Sequence, residues 1–264
     1  MNEAADDVPV LWHFPVSHFN EKVRWALDRK KVPHRRVALV PGFHVVTVRR
    51  LTGQQKVPVI RLGGRVIHDS PRILEALEEA YPDPPIFPAD PALRARALEL
   101  QQVFDTEAAP DFRRLFWSCY VDDAAAACAM AVMGPTNGSA RALAWRAAWP
   151  MMKPIFCREM GVVPEVLEGA RARLPGHLDR VAAAIGPSGY LVGEAFSVAD
   201  LTAAAGLTAL LRPPQFPYPL PEPWPPGLVA LRESIVDHEA SRWALRIYAT
   251  ERDASMAIGE APTA

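Results

Sequence analysis

Apolar positions along this chain follow two different spacings, and the change from one to the other divides it. Residues 8–14 (VPVLWHF) are a run of apolar and β-forming residues and read as a strand. After a short turn at Pro15 and Val16, Phe19, Val23 and Leu27 recur at helical spacing, which predicts an amphipathic helix starting near Ser17. Pro33 ends that region, and residues 34–40 read as a second strand. A third strand, 57–62, carries Pro58 near its start. Gly63-Gly64 marks a hairpin turn into a fourth strand at 65–67. Asp69-Ser70-Pro71 then opens a helix, with proline at the first helical position. The order is β-α-β followed by β-β-α.

The spacing changes beyond residue 81. Five prolines fall within 81–91, which forbids regular helix there and predicts a stiff linker at 82–91. The chain after it is rich in Ala and Leu, with helices expected near 92–131, 139–160, 164–185, 198–211 and 226–249. Pro110 and Pro150 are expected to kink or split the first two. Residues 134–138 (GPTNG) read as the loop between those two. Ser197 and Asp200 form a Ser-x-x-Asp pair before the 198–211 helix. This is a close variant of the capping box, and Phe196 and Leu201 are placed to close a hydrophobic staple. The run 212–226 (RPPQFPYPLPEPWPP) is extended and proline-rich, and reads as a rigid surface crossover or a polyproline ligand. The organisation predicted is an α/β domain over 1–81, the linker, an all-helical domain over 92–250 and a C-terminal tail over 251–264.

Composition narrows the possibilities. With 264 residues, half of them hydrophobic, the chain can build a small domain and a larger one. The 29 basic and 30 acidic residues leave a net charge of −1, so no basic field draws nucleic acid and no polybasic tract suggests a membrane surface. The first ten residues carry no basic stretch followed by an apolar core, and no apolar span reaches about 20 residues, so neither a leader nor a membrane helix is expected. Cys119, Cys128 and Cys157 are odd in number and widely spaced, as buried free thiols of a reducing, cytoplasmic setting would be, and no metal site is expected.

Proline inside a strand removes a ladder donor, so Pro58 needs a reason. A cis Val57-Pro58 bond would turn the Val57 backbone outward to pair with an extended ligand. Asp69 and Ser70, at the next helix N-terminus, could hold an ammonium and a carboxylate. These groups together suit a peptide with an amino acid head.

On these residues the segment 53–77 resembles the second half of the thioredoxin-like domain of glutathione S-transferases. The stretch from Ser17 through Lys22-Val23-Arg24 to Leu27 resembles the family's pattern around its catalytic position. The capping pair Ser197 and Asp200 resembles a motif of the family's helical domain, where the Asp has a folding role. The resemblance covers roughly 8–250 without fixing a class. It implies a thioredoxin-like α/β domain followed by an all-α domain. It further implies glutathione as co-substrate, Ser17 as the residue that stabilises its thiolate, Val57 and Pro58 along its backbone, and Asp69 and Ser70 at its γ-glutamyl end. Phe112 and Phe116 would lie on the helix that lines the second-substrate pocket, beside an apolar electrophile. Homodimers are the family's habit.

The chemistry fits those positions. A free thiol titrates near about 8.5, so little is thiolate at neutral pH. A hydroxyl donating to the sulfur and a helix N-terminus both favour the anion. Ser17 also reads as a plain helix N-cap, and its hydroxyl could do both jobs. Tyrosine activation is absent from this domain, because the run at the end of the first strand is His13-Phe14-Pro15-Val16 and the first tyrosine is Tyr81. His13 could hydrogen-bond a thiolate, although a strand-end histidine near the surface is the plainer reading, and Asn20 is a further candidate. The domain holds no cysteine, which excludes thiol-disulfide exchange through a protein thiol. His18 stands where the family often has proline. The functions implied are glutathione transfer to an apolar electrophile, a glutathione-dependent isomerase or dehalogenase, or a binding protein on the same fold.

Overall fold

A computed structural model of the protein describes residues 8–133 and 138–262. The opening residues 1–7 and positions 134–137 of the expected GPTNG loop lie outside the described residues. The chain divides into two compact units. One contains residues 1–85, 131–145 and 253–264, and the other contains 86–130 and 146–252.

The first unit is built on a five-stranded sheet in the order β4-β3-β1-β2-β5. Strand β1 (Val10–His13) runs parallel to β2 (His34–Ala38) and antiparallel to β3 (Val59–Leu62), which pairs antiparallel with β4 (Arg65–His68). Helix α1 (His18–Arg29) links β1 and β2, α2 (His44–Thr52) precedes β3, and α3 (Ser70–Ala80) follows β4. This is the thioredoxin-like order expected. Trp12, Leu39, Val48 and Val59 form a buried cluster, against which Phe14 and Val57 pack. The Val57-Pro58 bond is cis.

Two elements of this unit depart from the expected pattern. Helix α2 occupies residues to which the sequence assigned no element. Its first residues, Val45, Val46, Thr47 and Val48, are β-branched and poor helix formers, and only Val48 is buried. The C-terminal tail is not an appendage. Residues Ala257–Pro262 form strand β5, which runs parallel to β2 and pairs Arg36 with Glu260.

The second unit is helical, as expected. Helix α4 (Pro91–Val103), capped by the Asp90 side chain, passes through a π-helical turn (Phe104–Ala108) into α5 (Ala109–Ser118), so the irregularity falls just before Pro110, which sits in the first turn of α5. Helix α6 (Ala124–Ala131) follows. Helix α7 (Ala140–Met160), which begins in residues grouped with the first unit, runs unbroken through Pro150 and Pro154, so Pro150 does not split it. Both prolines are exposed. Then come α8 (Pro164–Ala184), α9 (Val198–Leu211), α10 (Pro226–Ile235) and α11 (Glu239–Glu251).

Every residue of α9 is buried, as its apolar composition on all sides requires. Its N-terminus carries the expected capping box. Asp200 Oδ2 accepts from the Ser197 N–H at 2.9 Å, and its Oδ1 accepts from the Leu191 N–H at 2.8 Å. On the neighbouring helices, Asp111 is buried and accepts from Arg114, Arg173 and His177. Burial works to raise its pKa, but those three hydrogen bonds outweigh it and hold the carboxyl down to about 2. Among the described residues no helix is long and apolar enough to cross a membrane, and no cluster of His, Cys, Asp or Glu has the makings of a metal site.

Candidate active site

Strand register brings the candidate residues of the first unit to one end of its sheet. Trp12 pairs with Val59, and Val59 pairs with His68. The end of β1, the start of β3 and the end of β4 therefore lie side by side. The segments that continue from them carry Phe14 to Ser17, Val57-Pro58 and Asp69-Ser70.

Ser17 is the residue before α1, with extended backbone at φ −78° and ψ 127°. Its N–H donates to the Phe14 carbonyl at 3.2 Å, and its carbonyl accepts from the Glu21 N–H at 2.9 Å. Its side chain is half-buried and makes no capping hydrogen bond. The cap here is therefore a main-chain cap, and the hydroxyl is left for another partner. Val57 is half-buried. It precedes the first paired residue of β3, and its main chain takes no hydrogen bond among the described residues.

Asp69 has φ 77° and ψ 119°, a conformation that L side chains rarely adopt. Such a residue costs of order 1–3 kcal/mol and is often found at ligand clamps. Its carbonyl begins α3 by accepting from the Ile73 N–H, while its carboxylate is exposed and makes no capping bond. Ser70 is buried at the start of the same helix.

His13 differs from the surface position expected. It is fully buried, with Nδ1 2.9 Å from Arg24 Nη1 and Nε2 3.1 Å from Glu260 Oε1. Burial, chiefly, lowers its pKa to about 4, against the raising effect of the Glu260 hydrogen bond. This ring is committed to protein partners. Asn20 is also fully buried, and neither its Nδ2 nor its Oδ1 has a partner among the described residues. Phe112 and Phe116 are buried in the helical unit. Phe112 meets His177 edge-on, and Phe116 packs against Trp117 and Tyr120.

Two groupings escaped the sequence. Arg24 entered only as a letter of the family's pattern, yet it binds Glu21, His13 and the carbonyls of Phe14 and Pro15. A basic residue on the buried side of an amphipathic helix was the available signal. In the helical unit, Tyr120 Oη, Arg212 Nε and Nη1, and Trp224 Nε1 are buried donors without acceptors among the described residues, and Arg212 stacks on the Trp224 ring at 3.3 Å. Burial raises Tyr120 to about 12 and lowers Arg212 to about 10.

Family models described as "Glutathione S-transferase, N-terminal domain" and "Glutathione S-transferase, C-terminal domain" match residues 11–85 and 164–233, together more than half of the chain. The chain belongs to the glutathione S-transferase family. A maleylpyruvate isomerase from Ralstonia sp is 35% identical over 103 residues, covering 38% of this chain and 49% of that protein. A probable maleylacetoacetate isomerase from Caenorhabditis elegans is 36% identical over 95 residues, covering 35% and 44%. The chain thus spans about half the length of the curated relatives it matches. Among solved structures, the theta class glutathione S-transferase from Xanthomonas axonopodis pv. citri, with glutathione bound, covers 90% of this chain and 97% of its own at a TM-score of 0.55 and 20% identity. That likeness is one of fold.

Proposed function

We propose that this protein is a glutathione-dependent enzyme in which Ser17 stabilises the thiolate of the bound peptide for attack on an apolar electrophile. The observation that carries this reading is the Ser17 hydroxyl, which makes no capping bond at the start of α1, at the sheet end shared with Val57 and Asp69-Ser70. The Val57 main chain would align the peptide, Asp69 would hold its ammonium, and Ser70 with the α3 N-terminus would hold its carboxylate. A lowered thiol pKa and proximity would supply the rate. Titration calorimetry with glutathione, followed by conjugation of an aromatic halide, tests it. Absence of binding at millimolar glutathione overturns it.

A second reading is a glutathione-dependent isomerase acting on a carboxylate-bearing electrophile. The curated relatives are named as maleylpyruvate and probable maleylacetoacetate isomerases, and the donors Tyr120 Oη, Arg212 Nε and Nη1 and Trp224 Nε1, without acceptors among the described residues, suit an anion. Turnover of maleylpyruvate without consumption of glutathione, with no conjugation of the halide, would select it. Homodimer assembly belongs to either reading and is checked by light scattering at micromolar concentration.

A further inference from the structure

Strand β5 lies outside the residues that match the family, and it is anchored to the element that presents Ser17. At its start, the Met256 N–H donates to Asp28 Oδ1 at 2.7 Å, and Met256 accepts from the His34 N–H. Asp28, buried on α1, also takes Arg36 Nη2 on both oxygens, at 3.1 and 2.9 Å. Near its end, Glu260 meets His13 at 3.1 Å. Lys31 and Asp253 add an exposed ion pair at 2.6 Å just before the strand.

From Glu260 a line of hydrogen bonds leads to the loop before α1. A guanidinium can only donate, so Arg24 Nη1 fixes His13 Nδ1 as an acceptor. The ring proton then sits on Nε2 and donates to Glu260. The low pKa of His13 agrees with a neutral ring. Arg24 also donates from Nη1 to the Phe14 carbonyl at 3.2 Å and from Nη2 to the Pro15 carbonyl at 3.0 Å, while Nε holds Glu21 at 2.8 Å. The Phe14 carbonyl in turn accepts from the Ser17 N–H.

We propose that Glu260 of the C-terminal strand is a positioning residue of the thiol site, holding the Ser17 hydroxyl in place through His13, Arg24 and the carbonyls of Phe14 and Pro15. The inference rests on the reading of Ser17 as the thiolate-stabilising residue. Glu260 touches no substrate. It orients the imidazole, which orients the guanidinium, which sets the loop. Removing its carboxylate takes away the Glu260 contact of His13 Nε2 and so weakens the hold on the ring that faces Arg24. The peptide itself would still be gripped by Val57, Asp69 and Ser70.

The test uses the full chain with Glu260→Ala, Glu260→Gln and the control Asp253→Ala, which loosens the tail without touching His13. The ultraviolet absorbance of the thiolate in the glutathione complex, followed against pH, gives the bound thiol's pKa. Hydrogen exchange at residues 14–18 gives the order of the loop without any ligand. In Glu260→Ala the thiol pKa should rise by about one unit, with about tenfold less turnover at neutral pH and little change in glutathione affinity. Exchange at 14–18 should quicken. Glu260→Gln keeps an acceptor for the Nε2–H and should restore most of both signals, and Asp253→Ala should leave both unchanged. An unchanged thiol pKa in Glu260→Ala overturns the proposal, even if melting falls, because a structural contact alone gives that result. If the wild type binds no glutathione, the reading of Ser17 fails separately. Exchange then decides the link from Glu260 to the loop, with quickening in its support and unchanged rates against it.

Discussion

Arg24 donates to the Pro15 carbonyl at 3.0 Å, so a residue two turns into α1 holds the loop that leads into its own helix. The same side chain satisfies Glu21, and both are fully buried. Taking one partner from a buried ion pair leaves the other charge uncompensated and costs about 3–5 kcal/mol. Arg24→Met should therefore destabilise the protein by that order in urea unfolding. Arg24→Lys keeps the charge but cannot span the same acceptors and should fall between the two. A wild-type midpoint for Arg24→Lys would show that charge alone matters here and geometry does not.

Ser17→Ala separates the two roles a serine can have at this position. A lost side-chain cap costs about 1 kcal/mol. The hydroxyl makes no such bond, so the melting temperature should hardly move. Conjugation near neutral pH should drop roughly tenfold or more, glutathione affinity should persist, and the rate should partly recover toward the free thiol's pKa. A pH–rate profile with an aromatic halide measures it. A lower melting point with an unchanged profile would assign Ser17 to the helix alone.

The features legible in the sequence were those whose physics is local. Phe19, Val23 and Leu27 define α1 by spacing, Gly63-Gly64 defines the hairpin, and Ser197 with Asp200 defines the start of α9. Each signal sits within a dozen residues of what it specifies. Strand β5 could not be read this way. Its sequence, AIGEAP, is short and contains glycine and proline, and the strand it joins lies more than 200 residues earlier. Nothing local distinguishes such a run from a tail. His13 was misplaced for the same reason, since Glu260, a partner of its buried ring, lies on that distant strand. The candidate residues at the sheet end were legible because the hairpin and the residues flanking it carry them. Arg24 was not, because its role appears only when the loop folds back over α1.

Asp69 offers a test in which stability and binding move in opposite directions. At φ 77° a side chain is strained, and glycine adopts that conformation freely. Asp69→Gly should raise stability by about 0.5–1 kcal/mol in urea unfolding while weakening glutathione binding about tenfold or more. Asp69→Ala keeps the strain and loses the carboxylate, so it should weaken binding without the gain in stability. Equal stability of the two variants would mean that the backbone here is not under strain.

His13 and Asp200 make opposite demands on pH. His13 is held at about 4 by burial, against about 6.5 when unfolded. The unfolded chain therefore takes up the proton first, and the stability His13 contributes is present above about 6.5 and lost as pH falls toward 4. Asp200 is raised to about 6 by burial, against the lowering effect of the Leu191 and Ser197 hydrogen bonds, from an ordinary 3.8. Here the folded protein holds the proton, so the contribution is present below about 3.8 and lost as pH rises through 6. Each slope is about 1.4 kcal/mol per pH unit, and between pH 4 and 6 they nearly cancel. His44, lowered by burial, and Glu107, lowered by its hydrogen bond with Arg180, add to the His13 side, so urea unfolding of the wild type should show only a shallow rise of stability with pH over that range. Asp200→Ala removes one side of the balance. It should be less stable by about 2–4 kcal/mol at neutral pH, because it loses the cap and leaves the Leu191 and Ser197 N–H groups unpaired. Its stability should also climb with pH between 4 and 6, at up to about 1.4 kcal/mol per unit, as the His13 response is uncovered. A variant that is destabilised but no steeper with pH than the wild type would show that Asp200 stays ionised across this range and that its burial is fully compensated by the N–H groups it holds.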